Sequence, residues 1–148
     1  MIKYIIFTAI FSLPLAASAQ EAVPHKKASK IIVGTSLSTI QIARQFALHD
    51  LDIQKTDTLV GQIIGSYSGS SLANNKVYIK AQRIDSAVII SGKIDFEGGG
   101  FLVSGRDIPD MEVIYGSRGT ILREAFEKMI SIAKSLNPTS ITFDKIAK

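Results

Sequence analysis

Two alternating segments joined by only two residues constrain the fold more than any other feature of the chain. Residues 76–84 and 87–96 each alternate between apolar and polar side chains, and Asp85-Ser86 connects them. Alternation with a period of two is typical of strands with one buried face. Because a parallel crossover needs a much longer connection, the two strands must be antiparallel neighbours. The buried face of the first strand is predicted to carry Val77, Ile79 and Ala81.

Two amphipathic helices are predicted, one before and one after this hairpin. The first runs from Ser38 to about His49, with Ser36 or Ser38 as its N-cap, and the second covers Thr120–Leu136 and ends before a proline. Apolar residues recur at intervals of three and four, which indicates one buried stripe on each helix. These residues are Ile40, Ala43, Phe46, Ala47 and Leu51 around the first helix, and Leu122, Phe126, Met129, Ala133 and Leu136 in the second.

Shorter apolar segments complete the predicted architecture. Strands are expected at about residues 31–33, 52–55, 59–67 and 111–115. The apolar stripes of both helices are buried if the helices pack together on one side of a single sheet. The sequence therefore predicts an α+β fold. It is a two-layer sandwich whose antiparallel sheet of about four strands carries two amphipathic helices on one face.

The N-terminal residues 1–19 have the order of a secretory signal. Lys3 precedes an apolar run, and the segment closes on small residues that end at Ala19. The apolar run is interrupted by Pro14 and is shorter than the about 20 residues of a membrane-spanning helix. We therefore expect cleavage before Gln20 and a periplasmic or secreted protein without a transmembrane anchor. The expected organisation is then a flexible leader at 20–30, one domain at 31–137, and a tail or short edge strand at 138–148.

The composition excludes several classes of site. The chain has no cysteine and two histidines, which excludes disulfides, thiolate nucleophiles and cysteine-based zinc sites. Its acidic residues lack the spacing of a calcium loop, and we expect neither a metal nor a cofactor. The net charge of +4 comes without the dense lysine and arginine clusters of a nucleic-acid-binding protein. The protein is expected not to be an enzyme, and a hydrolase that uses serine and lysine or carboxylates is the catalytic alternative.

The polar side of the predicted hairpin is a candidate partner-binding surface. Its members are Lys76, Tyr78, Lys80 and Gln82, with Lys93 beside them on the second strand. Lysines around a tyrosine would suit an anionic glycan, a lipid headgroup or an acidic protein surface. The alternative is a solvated face whose lysines discourage association of sheet edges.

A run of three glycines, Gly98–Gly100, begins the most irregular segment of the chain. A phosphate-binding loop would continue with lysine and a hydroxyl residue, whereas Phe101 and Leu102 follow here. The run is therefore interpreted as a hairpin tip or bulge. As a hinge, it would let Phe101 and Leu102 reach a partner.

A second glycine-containing segment, with Ser117, Arg118 and Gly119, directly precedes the second helix. Backbone N–H groups at a helix start, together with an arginine, would bind an anion. The alternative is a turn in which Ser117 or Thr120 caps the helix.

Three segments carry a resemblance to a known family. They are HDLDIQKTDTLVGQIIGSY at 49–67, the strand pair at 76–96, and YGSRGTILREAFEKMISIAKSL at 115–136. In element order and apolar spacing, they resemble small exported bacterial domains with a TATA-binding-protein-like or helix-grip layout. The layout is also similar to the domains of an accessory lipoprotein of outer-membrane barrel assembly, from which this chain departs by lacking the lipid-bearing cysteine and a second domain. The resemblance covers about Lys30 to Asn137 and implies a binding or structural role in the envelope.

The sequence therefore predicts a non-enzymatic exported module that binds a partner in the cell envelope. The expected partner is an envelope protein, a glycan or an anionic lipid. The alternative is a carrier that holds a small apolar or lipidic ligand between helix and sheet. A carrier needs a cavity of about 300–1,000 Å³ there, whereas a binding module is packed solid.

Overall fold

The structure places two helices among strands that all belong to one sheet. The computed structural model describes residues 20–22, 24–68, 75–96, 111–116 and 120–145, so the predicted signal segment lies outside the described residues. The elements, in chain order, are β1 (Gln20–Glu21), β2 (Lys30–Gly34), α1 (Thr39–Leu48), β3 (Asp52–Asp57), β4 (Gln62–Ser68), β5 (Asn75–Ile84), β6 (Ala87–Phe96), β7 (Met111–Glu112), α2 (Thr120–Ser135) and β8 (Ser140–Asp144).

The sheet is larger than the sequence predicts. Within the described residues its order is β1-β8-β2-β6-β5-β4-β3, and β7 pairs with β6. Six of these strands have five to ten residues and pair antiparallel, whereas β1 and β7 have two residues each, and β1 runs parallel to β8. The predicted count of about four strands is therefore wrong. The α+β class, the antiparallel sheet and the two helices are confirmed.

The central hairpin of β5 and β6 forms as its alternation predicts. The strands pair antiparallel along their whole length, from Asn75–Phe96 to Ile84–Ala87. Asp85 in the turn has a φ of 53°, which lies in the left-handed region. Short polar residues adopt this left-handed conformation more readily than others do. The predicted inward residues of β5 are all buried, and they are Val77, Ile79 and Ala81.

Both helices lie against the same face of the sheet, and two glycines make this possible. Gly65 of β4 and Gly92 of β6 flank Ile79 of β5 in register. A Cβ at Gly65 would lie 3.0 Å from Cδ2 of Phe46 in α1, and a Cβ at Gly92 would lie 3.0 Å from Sδ of Met129 in α2. Because directly paired residues share a face, these contacts place α1 and α2 on one side. Neither of these two helices covers the opposite side of the sheet, which is called the open face below.

Helix α1 begins where the sequence predicts and buries part of the predicted stripe, because Phe46 and Leu51 are buried whereas Ile40 and Ala47 are exposed. The Ser38 hydroxyl accepts a hydrogen bond from the Gln41 N–H, and the Gln41 side chain accepts one from the Ser38 N–H, so the helix starts with a capping box. Ile42 and Phe46 are buried, whereas Ile40 is 56% exposed. Since Ile40 and Ile42 lie about 200° apart around a helix, only one of them can face the sheet.

Helix α2 packs as its apolar stripe predicts. Phe126 and Met129 are fully buried, and the Phe126 ring lies between two other aromatic rings. Its centroid is 5.2 Å from that of Tyr115 and 6.2 Å from that of Phe143 in β8. The contact with Phe143 joins α2 to the C-terminal strand.

The segments expected to be a leader and a tail both contribute to the sheet. Within 20–30, β1 pairs with β8, Ala28 and Ser29 are buried, and the Ala28 carbonyl accepts a hydrogen bond from the Tyr115 N–H. The flexible leader expected from composition therefore does not describe these residues. β8 pairs antiparallel with β2 and buries Ile141, so part of the segment expected to be a tail or a short edge strand lies in the sheet. Neither helix in the described part of the chain has the length and apolar character to span a bilayer.

Candidate functional site

The open face of the sheet carries five of the seven predicted partner-binding residues, namely Lys76, Tyr78, Lys80, Gln82 and Lys93. Tyr78 of β5 lies directly opposite Lys93 of β6, and Lys80 lies opposite Ser91. These side chains alternate with the buried residues of the same strands, so they point away from both helices. The sequence correctly placed all of them on one surface.

A groove of about 700 Å³ crosses this face. It brings Tyr78, Lys80 and Lys93 together, and β3, β4 and β7 supply further side chains that the sequence did not single out. The residues that line it are Gln54, Ile64, Tyr78, Lys80, Ser91, Gly92, Lys93, Asp95 and Glu112. Its volume lies within the range of small-ligand sites, which is about 300–1,000 Å³.

An aromatic ring and two ammonium groups form the centre of the groove. The Lys93 Nζ lies 5.9 Å from the centroid of the Tyr78 ring, at the outer limit of a cation–π contact. Lys80 is exposed on the strand that carries Tyr78, two residues further along the same face. A ligand in the groove would meet a flat apolar surface next to positive charge.

A β-bulge shapes one wall of the groove. The register between β3 and β4 shifts between Ile53 and Lys55, which leaves Gln54 as the extra residue. The Gln54 Nε2 donates a hydrogen bond of 3.0 Å to the Ser66 Oγ, and Ser66 is fully buried although it lies on the open face. Gln54 thus covers Ser66 and presents an amide to the groove.

The open face is balanced in charge rather than basic. Asp95 lies opposite Lys76, and Glu112 of β7 lies opposite Lys93. On the described strands of this face, lysines and acidic residues occur in equal number. The lysines are Lys30, Lys55, Lys76, Lys80 and Lys93, and the acids are Asp52, Asp57, Asp95, Glu112 and Asp144. Burial raises the pKa of Glu112 above its ordinary value, and the nearby Lys30 partly opposes this shift. Asp95 follows from the alternation of the hairpin, whereas the other four acids could not be located from the sequence because their positions depend on the pairing of β3, β7 and β8.

Two of the predicted residues lie on the open face but do not line the groove. Lys76 is one step further along β5, beside Asp95. Gln82 is used within the fold, because its Oε1 accepts a hydrogen bond from Gln62 and its Nε2 donates one to the Val60 carbonyl. Gln82 therefore supports the turn between β3 and β4.

The other predicted site residues lie outside the described residues. These are Phe101 and Leu102 after the glycine run, and Ser117, Arg118 and Gly119 before α2. Their proposed roles stay predictions. No cluster of three or more possible metal ligands occurs among the residues that the structure describes.

A separate polar contact joins the two helices to β4 on the opposite side of the sheet. The Lys128 Nζ of α2 lies 4.5 Å from the centroid of the Tyr67 ring. Burial, with a smaller contribution from Glu124, raises the pKa of Tyr67 to about 12. Burial and Lys128 lower the pKa of His49, the C-cap of α1. These groups lie away from the groove, and they link the helical layer to the sheet.

Compared with known proteins, the chain matches no family model and has no significant match among curated proteins. The resemblance to exported domains with a TATA-binding-protein-like or helix-grip layout stays a prediction. Function must therefore be argued from the groove itself.

Proposed function

We propose that the protein is an exported, non-enzymatic binding module of the cell envelope whose open-face groove binds an acidic glycan. One observation carries the proposal: Tyr78 lies opposite Lys93 and on the same face as Lys80 in a groove of ligand size. A sugar ring packs on an aromatic face, and a carboxylate on that sugar would be bound by the adjacent ammonium groups.

The acidic residues around the groove favour a glycan over the other expected partners. A lipid surface or a uniformly acidic protein would bring many negative charges close to Asp95 and Glu112, which line the groove. A glycan carries few charges and many hydroxyl groups. Those hydroxyl groups would donate hydrogen bonds to the two carboxylates, while the Ser91 hydroxyl offers a further donor and the Gln54 Oε1 a further acceptor.

Packing between the layers supports the open face rather than the interior as the binding site. A Cβ at Gly92 would lie 3.0 Å from the Met129 Sδ and 3.1 Å from the Val113 Cγ2. A Cβ at Gly65 would come within 2.9 Å of Leu51. The helix–sheet interface is closed at both points, which argues against a carrier with a ligand held between α2 and these strands.

The proposal is tested by calorimetry with two sets of carboxylated sugars, uronic-acid oligosaccharides and soluble peptidoglycan fragments, with neutral oligosaccharides for comparison. The double variant Lys80→Gln/Lys93→Gln should bind the acidic sugars several-fold more weakly. The difference in affinity between this variant and the unmodified protein should shrink as salt rises, because charges are screened over about 10 Å at 0.1 M ionic strength. Tyr78→Ala should weaken binding with less dependence on salt, since it removes a packing surface.

The matched control is Lys27→Gln/Lys145→Gln, which removes two exposed lysines outside the groove and lowers the net charge by the same amount. It should bind as the unmodified protein does. Equal losses in the two double variants would mean that binding follows net charge alone. An acidic sugar that binds the Lys80→Gln/Lys93→Gln variant with full affinity would exclude the groove as its site.

A further inference from the structure

The charged residues that line the open-face groove follow one another in a fixed order along its length. Lys80 of β5 lies opposite Ser91 of β6, at one end of the groove. Two residues further along the same face, Tyr78 lies opposite Lys93, and Asp95 lies two residues beyond Lys93. The groove therefore has an ammonium group at one end and a carboxylate at the other, with an aromatic ring between them.

The opposite charges at the two ends of the groove do not neutralise each other. A strand advances by about 3.4 Å per residue, so Ser91 and Asp95 are separated by about 14 Å along β6. Lys80, which lies opposite Ser91, is therefore too far from Asp95 to pair with it. Among the residues that the structure describes, neither Asp95 nor Glu112 forms a salt bridge. Both carboxylates can accept charge-assisted hydrogen bonds from a ligand.

Glu112 adds a partly desolvated carboxylate to the side of the groove. It lies on β7, opposite Lys93 of β6. Burial raises the pKa of Glu112, and the positive charge of Lys30 offsets only part of this rise. The protein thus does not replace all of the hydration that stabilises the ionised carboxylate. A positively charged group of a ligand would supply that stabilisation.

We propose that the ligand of the open-face groove carries an ammonium group as well as a carboxylate, which makes it an amino-bearing acidic glycan. This assignment rests on the proposed function and narrows the class of glycan. The carboxylate would contact Lys80, a sugar ring would pack on Tyr78, and the ammonium group would contact Asp95 and Glu112.

The balance of charge in the groove supports a ligand with both charges over one that is only negative. Two lysines and two acidic residues line the groove, and they are Lys80, Lys93, Asp95 and Glu112. A ligand with carboxylates alone would be attracted by the first two residues and repelled by the other two. A ligand with one charge of each sign is complementary to both pairs.

Calorimetry with two disaccharides that differ in one group tests this assignment. Both join a uronic acid to glucosamine, and the amino group is free in one and acetylated in the other. At about pH 6.5 the amine is protonated and the uronic acid is ionised. We expect the purified full chain to bind the free-amine form about fivefold to tenfold more tightly, because only this form donates from an ammonium group.

The double variant Asp95→Asn/Glu112→Gln should lose this preference while it binds the acetylated disaccharide at least as tightly as before. The matched control is Asp52→Asn/Asp144→Asn. It removes two exposed acidic residues from the open face, outside the groove, and changes the net charge by the same amount. The control should keep the preference for the free amine. Thermal unfolding of each variant shows whether the fold is retained.

The unmodified protein can overturn the assignment without any variant. If it binds the acetylated disaccharide as tightly as the free-amine form, or more tightly, the groove has no ammonium site, and the proposed glycan site stands without it. A preference that survives in Asp95→Asn/Glu112→Gln, or that the control loses to the same extent, also overturns the assignment. If neither disaccharide binds, the proposed function itself fails and the ammonium site fails with it.

Discussion

Replacement of Phe126 by alanine tests the packing between α2 and the sheet most directly. The side chain is fully buried, and its ring centroid lies 5.2 Å from that of Tyr115 and 6.2 Å from that of Phe143. Large-to-small changes of this kind in protein cores cost about 3–5 kcal/mol. Because two aromatic contacts are lost together with the buried area, we expect a loss in the upper half of that range, about 4–5 kcal/mol.

Urea unfolding followed by circular dichroism measures this loss. For a chain of this size, the dependence of the unfolding free energy on urea is about 2 kcal/mol per M, so a loss of about 4 kcal/mol lowers the midpoint by about 2 M. Leu48→Ala is the control, since this leucine is 74% exposed and its truncation should change stability by less than about 0.5 kcal/mol. A loss below about 1 kcal/mol for Phe126→Ala, with an unchanged urea dependence, would refute the packing described for α2.

Two further predictions concern the sheet and its junction with the helices. Gly65→Ala should destabilise the protein by about 1–3 kcal/mol in the same assay, because the new Cβ would lie 2.9 Å from the Leu51 Cδ2 and 3.0 Å from the Leu51 Cβ. If the variant is as stable as the unmodified protein or more stable, the helical layer can move away at this point. Tyr67 should ionise near pH 12 in the folded protein and near pH 10 when unfolded. The folded state then keeps a proton that the unfolded state has lost, so this tyrosine makes stability fall as pH rises from 10 to 12, and Tyr67→Phe should remove that part of the fall. Ultraviolet titration of the phenol would contradict the assignment if every tyrosine ionised near pH 10.

Local patterns predicted the hairpin, the helix boundaries and the face on which Tyr78, Lys80 and Lys93 lie. The alternation of Lys76–Ile84 determines which side chains share a face, and it does so without knowledge of the neighbouring strands. Ser38 identified the start of α1 through its capping chemistry. These features depend on residues close together in the sequence, so a single sequence is sufficient to find them.

Features that depend on pairing between distant segments of the chain were not predicted, or were predicted only in part. Asp95 is placed beside Lys76 by the hairpin register, but Glu112 reaches the groove only because β7 pairs with β6 far along the chain. The strand predicted at 59–67 begins too early. Leu59 and Val60 are residue types common in strands, but they lie in a turn that Asp57 and Gly61 stabilise. The strand propensity of apolar residues has a smaller effect here than the side-chain hydrogen bonds and the glycine that stabilise the turn.

The pairing of β2 with β8 has a consequence for the order of folding. The first long strand of the sheet takes its partners from the middle and from the end of the chain, and the Thr35 hydroxyl donates a hydrogen bond to the Leu136 carbonyl across 101 residues. The hairpins between β3 and β6 close short loops and can form early, whereas the β2–β8 ladder must wait until β8 has been made. Until then, β2 is an edge strand with the sequence KIIVG, which is apolar and prone to pair with another chain. A chain that emerges N-terminus first therefore exposes this apolar edge until β8 has been made, and β8 is the strand that then protects it.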